Sequence, residues 1–248
     1  MESVVQTREI RTTDEHVTQE ITPIYALSKY PKILCVVPSL PHDFNLSTLK
    51  TILQQTLPID MIVILPKKVT GKTVGEKVSK VLNDGLSHLH LKDFDYILRV
   101  DSDTVIPHNF LEENLKGEPD LCGSAGYAMT IKVSTFERVM NGRFHPLSDD
   151  SYTSYKFMQK NCKVSRLRVK PKLLRRSGKS HGAMYFLNRG KAMFKHGYEP
   201  FHVLASFRWE WRNIIAVFGY ILSLLKNERK FDTANFVWQK QVRRLFHS

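Results

Sequence analysis

Asp101 and Asp103 are the residues of this 248-residue chain best placed by type and spacing to do chemistry. They follow Tyr96–Val100, a run suited to a buried strand. A strand repeats every two residues, so acids at i and i+2 leave the sheet on the same side. Two carboxylates that close repel each other unless a cation lies between them. A hard divalent ion, Mg2+ or Mn2+, itself bound to a diphosphate, meets that need with oxygen ligands. The chemistry implied is a metal-dependent reaction on a nucleotide. The plainer alternative is an Asx-type turn closing a strand, and the segment alone leaves both open.

The elements needed to position such a pair are legible around it. Residues 32–38 form a short apolar run stopped by Pro38 and Pro41, and residues 61–65 form another closed by Pro66, so both read as buried strands. Between them, Leu46, Leu49, Ile52, Leu53 and Leu57 have helical spacing, and a second helix over 75–90 leads to the strand at Tyr96. This alternation predicts right-handed crossovers and an α/β architecture with a mostly parallel sheet covered by helices. Ligands of such sheets bind beyond the carboxyl ends of the strands, where Asp101 and Asp103 lie.

A short helix is expected over 110–116, small residues over 120–127 allow close backbone approach, and 164–174 is strand-like and basic. Asp149 and Asp150 stand at the amino end of a helix over 151–158, where acids commonly act as caps. Residues 1–29 read as an N-terminal extension, 30–205 as the single α/β domain, and 206–248 as C-terminal amphipathic helices broken near 227–232.

Composition narrows the partners. With 42% hydrophobic and 25% charged residues the chain has the makings of a folded protein with a real core. Its 37 basic and 24 acidic residues leave +13, a balance that favours polyanions. Between Lys160 and Lys179 there are nine basic residues and no acidic one. No aromatic residue interrupts them, so a lipid or phosphate contact is expected rather than nucleic acid; a solvated basic face remains the alternative. Cys35, Cys122 and Cys162 are few and scattered, which fits a reducing, cytoplasmic setting better than a disulfide scaffold or a zinc site. Residues 1–22 are polar with mixed charge, so no secretory leader is expected at the front. The longest apolar run, 214–225, is too short to cross a bilayer.

Taken in order, several of these pieces resemble the family 2 glycosyltransferases over residues 31–190. Val36-Val37-Pro38-Ser39, then the helix ending Gln55-Thr56-Leu57-Pro58, then the strand from Met61 are similar to the family's opening. Asn83-Asp84-Gly85-Leu86 resembles its Asn-x-Gly-aliphatic helix, and Asp101-Ser102-Asp103 followed by Pro107-His108-Asn109-Phe110-Leu111 its Asp-x-Asp strand and next helix. The resemblance implies a GT-A fold: a single-domain, mostly parallel sheet flanked by helices, here with a C-terminal helical extension. It implies inverting transfer of a sugar from a nucleotide-sugar donor to an acceptor hydroxyl, with Mn2+ or Mg2+ as cofactor.

By the same resemblance Asp101 and Ser102 face the donor, Asp103 ligates the metal with Asp101 beside it, and Pro38 and Ser39 border the nucleoside. Asp150 is the expected base and Asp149 its orienting neighbour, preceded by Asn141-Gly142-Arg143-Phe144, which resembles the family's Gly-Gly-Phe loop. His181 falls where a late histidine helps hold metal or diphosphate, and Arg176 and Lys179 border the diphosphate. Pro66-Lys67-Lys68 departs from the family, which commonly has an acid there, and leaves the nucleobase open. The implied acceptor is a lipid-linked molecule or a glycan. Trp209, Trp211, Phe218, Tyr220, Trp238 and Phe246 interleave with Arg208, Arg212, Lys226, Arg229, Lys230, Arg243 and Arg244, so an anionic membrane surface is a candidate partner, with packing on protein as the alternative. A sugar-phosphate nucleotidyltransferase and a non-catalytic sugar-nucleotide or membrane-binding domain are the rival readings.

Overall fold

The computed structural model describes residues 9–12, 30–39, 44–66, 69–123, 127–148, 150–174, 182–206 and 211–246. They form two compact units, Met1–Arg175 and Arg176–Ser248.

The first unit is built on β2 (Ile33–Ser39), β3 (Met61–Pro66) and β4 (Tyr96–Val100). All residues of β2 and β4 are buried, which explains why their sequences run apolar without alternation: helices cover both faces. From β2 the chain adds β3 on one side and returns through α2 (Val74–Ser87) to add β4 on the other. At the far side β4 pairs antiparallel with β7 (Ala128–Lys132), followed by β6 (Leu121–Cys122) and β8 (Val164–Ser165). Within the segment read as an extension, β1 (Glu9–Thr12) pairs parallel with β3 and forms the near edge. The described sheet therefore runs β1-β3-β2-β4-β7-β6-β8, with four of its six pairings parallel.

Alternate residues of each strand feed two cores. Leu34, Val36, Val63, Leu65 and Ile97 pack with α2, α4 (Val133–Met140) and α5 (Asp150–Gln159) on one face. Ile33, Cys35, Val37, Ile62, Ile64 and Leu98 pack with α1 (Leu46–Leu53) and α3 (Phe110–Leu115) on the other. The basic stretch after residue 163 is less regular than its sequence suggests. After β8 it leaves the main sheet and rejoins order only at β9 (Lys172–Leu173), which pairs antiparallel with β5 (Thr104–Val105). Between the two, the buried Asn114 takes the place of a ladder: its Oδ1 accepts from Arg168 N–H at 2.7 Å and its amide donates to Val169 O at 3.0 Å.

The second unit is helical, with α6 (Ala183–Lys195), α7 (Pro200–Ala205), α8 (Asn213–Leu225) and α9 (Ala234–Phe246). Thus α6 and α7, grouped with the sheet by the sequence reading, belong to this unit. Met193, Phe194, Val203 and Tyr220 form its small core. Pro200 opens α7, and the buried Glu199 caps it by accepting from Phe201 and His202 N–H, both at 2.9 Å.

Candidate active site

The reversal of direction around β2 creates a switch point between β2 and β4, since β3 and β4 lie on opposite sides of β2. Crevices at such points, beyond the carboxyl ends of the strands, bind ligands in open α/β sheets. Pro38 and Ser39 end β2 there, and Asp101 follows β4; the register Val36 to Arg99, continued by two residues, brings Pro38 level with Asp101.

The corner made by residues 101–103 is held from three directions. Asp101 N–H donates to Tyr127 O at 3.0 Å, just before β7. Ser102 O accepts from Asn45 N–H at 3.1 Å and from the Thr48 hydroxyl at 3.0 Å, at the start of α1. Asp103 O accepts from Leu174 N–H at 2.9 Å, just past β9, and Asp101 O accepts from Thr104 N–H at 3.0 Å. Each of the three carbonyls is bonded to protein, so the side chains are what the corner offers to a ligand. Asn45 also caps α1, its Oδ1 accepting from Ser47 N–H at 2.8 Å.

Asp101 has a second task. Arg99, on the same face of β4, is 3% exposed, and its Nη2 lies 3.1 Å from Asp101 Oδ1, a carboxylate 36% exposed. A guanidinium buried in a sheet requires an anion, and Asp101 supplies a carboxylate oxygen to it. Sequence reasoning missed Arg99 because it read Tyr96–Val100 as one buried run. The available signal was a single cation inside an otherwise apolar strand, two residues from an acid.

The motifs behind the resemblance act as scaffolding for this corner. The buried Gln55 donates to Thr51 O at 3.0 Å and to Pro107 O at 2.7 Å, and accepts from Leu111 N–H at 3.1 Å. Thr56 N–H donates to His108 O at 2.8 Å. The end of α1 is thereby stitched to the chain between the corner and α3. Gly85 lets α2 lie against β3, since a Cβ there would stand 2.4 Å from a methyl of Leu65. Asn83 holds the loop before α5 in both directions: its Oδ1 accepts from Phe144 N–H at 2.7 Å, and its amide donates to Phe144 O at 2.8 Å.

That loop delivers Asp150, the first residue of α5, whose Oδ1 lies 2.5 Å from its own helix's Ser151 N–H. The ring of Tyr152 stacks on His145 at 4.1 Å. On either side of Asp150 in sequence, Phe144 and Phe157 pack in the core that contains Ile97.

Beside the corner, the exposed cations Arg166, Arg168, Lys170 and Lys172 alternate with half-buried residues as the chain approaches Asp103. Asp149, Arg176, Lys179 and His181, and also Lys67 and Lys68, lie outside the described residues. Among the described residues no group of three or more His, Cys, Asp or Glu is arranged to hold a metal ion. The donors present nevertheless suit a hard divalent ion that fills its remaining positions with diphosphate oxygens, as carboxylate pairs do.

No sequence family matches the chain, and no curated protein does. Among solved structures, the mannosyltransferase PcManGT from Pyrobaculum calidifontis, in complex with GDP-Man and Mn2+, is similar over 89% of this chain and 82% of its own, with a TM-score of 0.54 and 13% identity. Glucosyl-3-phosphoglycerate synthase from Mycobacterium tuberculosis, with Mg2+ and UDP, covers 66% of this chain and 78% of its own, with a TM-score of 0.46 and 12% identity. At 13% identity the likeness to PcManGT is one of fold, and the fold is GT-A.

Proposed function

We propose that this chain is an inverting, metal-dependent glycosyltransferase that moves a sugar from a nucleotide-sugar donor to an acceptor hydroxyl. The observation that carries the proposal is the clamped Asp101-Ser102-Asp103 corner at the switch point of a GT-A sheet. The Mn2+ and GDP-Man in PcManGT support a divalent ion and a nucleotide-sugar donor here.

Asp103, with Asp101 beside it, would hold Mn2+ or Mg2+ through carboxylate oxygens. When bound, the ion supplies Lewis-acid neutralisation of the departing nucleoside diphosphate. Pro38 and Ser39 border the nucleoside at the end of β2. Asp101, fixed by Arg99, presents its carboxylate to the donor without having to reorganise. Asp150 takes the acceptor proton as the acceptor oxygen attacks the anomeric carbon, and Asp149 orients it. The exposed cations of 166–172 raise the local concentration of anionic substrate.

The test is release of nucleoside diphosphate from a panel of UDP- and GDP-sugars, with and without Mn2+ or Mg2+. Metal-dependent release that disappears in Asp103→Ala and in Asp150→Asn is expected. Calorimetry that detects no sugar-nucleotide binding, with or without metal, overturns the proposal.

A further inference from the structure

Helix α8 is built inside out. Its buried positions are Asn213, Ala216, Gly219, Tyr220 and Ser223, which are mostly small or polar. Its exposed positions are Ile214, Phe218, Ile221, Leu222, Leu224 and Leu225, with Phe218 59% and Leu225 77% accessible. A helix on the surface of a water-soluble domain has the opposite arrangement, an apolar stripe inward and a polar face outward.

The inner face explains itself as a backbone-to-backbone crossing with α6. A Cβ on Gly190 would stand 1.7 Å from the carbonyl oxygen of Ala216, and one on Gly219 would stand 2.1 Å from that of Leu187. Small residues at a helix crossing and large apolar residues outside are the pattern of helices whose surroundings are lipid. Asn213 also accepts from Arg189 at 3.2 Å and donates to Ser206 O at 2.7 Å, and the Tyr220 hydroxyl donates to Tyr198 O at 2.7 Å. Two of the three polar side chains of this face are thus satisfied inside the unit, while the Ser223 hydroxyl is buried without a partner among the described residues.

We infer that α8 seats its outer face in the interface of an anionic bilayer. The stripe of Ile214, Phe218, Ile221, Leu222 and Leu225 follows i, i+4, i+7, i+8, i+11 and supplies one continuous apolar surface. Twelve of the seventeen large apolar side chains exposed among the described residues fall after Arg176, so the surface is confined to this unit.

Charge selects the kind of lipid. Thirteen of the 37 Lys and Arg residues but only four of the 24 Asp and Glu residues lie in Arg176–Ser248, which gives this unit nine of the thirteen net positive charges. Lys226 and Arg229 are exposed directly after α8, while Glu228 in the same turn is paired with Lys195 at 3.3 Å. Trp211, 71% exposed, stands just before the helix, where an indole suits the headgroup level. Thirteen residues of helix extend about 20 Å against a hydrocarbon core of about 30 Å, so α8 lies in the interface plane rather than crossing it. This inference does not depend on the acid corner transferring a sugar.

The experiment is flotation of the full chain with phosphatidylcholine vesicles, with and without phosphatidylglycerol, for wild type and the double variant Phe218→Ser/Leu222→Ser. Both side chains are on the exposed face, and circular dichroism verifies that the variant is folded. Wild type is expected to float with the anionic vesicles and to release as salt rises, with tryptophan emission moving to the blue. The variant is expected to bind about tenfold or more weakly. Wild type that stays at the bottom with anionic vesicles, or a variant that floats equally well, overturns the inference. So does sedimentation that shows a wild-type dimer and a monomeric variant, because the stripe would then be a face between two copies.

Discussion

The end of β4 and the start of α5 both carry acids, and the contacts described frame them differently. At the β4 end the backbone of residues 101–103 is bonded to residues 45 and 48 at the start of α1, to 127 just before β7 and to 174 just past β9. At the α5 start Asp150 Oδ1 accepts from the N–H of the next residue, Ser151, and Asn83 grips the Phe144 backbone six residues earlier. Within the corner the two acids also differ, since Asp101 neutralises buried Arg99 and Asp103 is bonded into the frame through its backbone alone among the contacts described.

Breaking the corner at Asp103 is expected to have the largest effect. Asp103→Asn keeps every backbone bond of the corner, so turnover should fall about 10²–10³-fold while the urea midpoint stays at the wild-type value. A large stability loss would make Asp103 a structural residue. At the other acid, Asp150→Asn should lower transfer by about 10²-fold with donor affinity unchanged in calorimetry. Donor affinity that falls in parallel would move Asp150 out of the acceptor's reach and into the donor's.

Asp101→Asn separates the two acids of the corner. It removes the Asp101 charge from the buried Arg99 guanidinium, and unfolding free energy should drop by about 1–3 kcal/mol, less than for a fully buried pair because Asp101 is over a third exposed. Combining it with Arg99→Met should restore most of that loss, as a double-mutant cycle would show.

Asn83→Ala probes the other region. Losing both bonds to the Phe144 backbone should cost about 1–2 kcal/mol and lower transfer by loosening the approach to Asp150, read by denaturation and diphosphate release together.

The smallest effect is a pH slope at Asp120, which joins the start of β8 to α4. Burial raises its carboxyl, but the Thr135 hydroxyl at 2.5 Å, the Lys163 N–H at 2.8 Å, Lys132 and Arg138 outweigh burial and hold it below the ordinary value. A folded value below the unfolded one means stability that is complete above the unfolded value and is lost as pH falls through the folded one. Thr135→Val should flatten that acid-side decline in urea midpoints, while the transfer rate at neutral pH stays unchanged.

Much of the sheet was legible because its strands are buried on both faces. Ile33–Ser39, Met61–Pro66 and Tyr96–Val100 are short apolar runs closed by Pro or Asp, and a run of that kind has few alternatives to a central strand. The segment 164–174 was overread because β-branched and basic residues are compatible with a strand, whereas the side chain of Asn114 diverts the backbone between two sheets. The helices after residue 206 were expected, but not α6 and α7 before them, nor the inversion of α8. Periodicity reports that a helix has two faces and does not report which of them meets protein.

The spacing of Asp101 and Asp103, the order of strand and helix, and the basic, aromatic carboxyl end were properties of the sequence alone, because each depends only on near neighbours along the chain. The tertiary structure decided that Arg99 takes Asp101 as its counterion, that Gln55 and Asn83 are braces, and that α8 turns its small face inward. Those outcomes depend on which side chains meet across tens of residues, and the energy of a hydrogen bond or a close helix crossing exists only once the fold has brought both partners together.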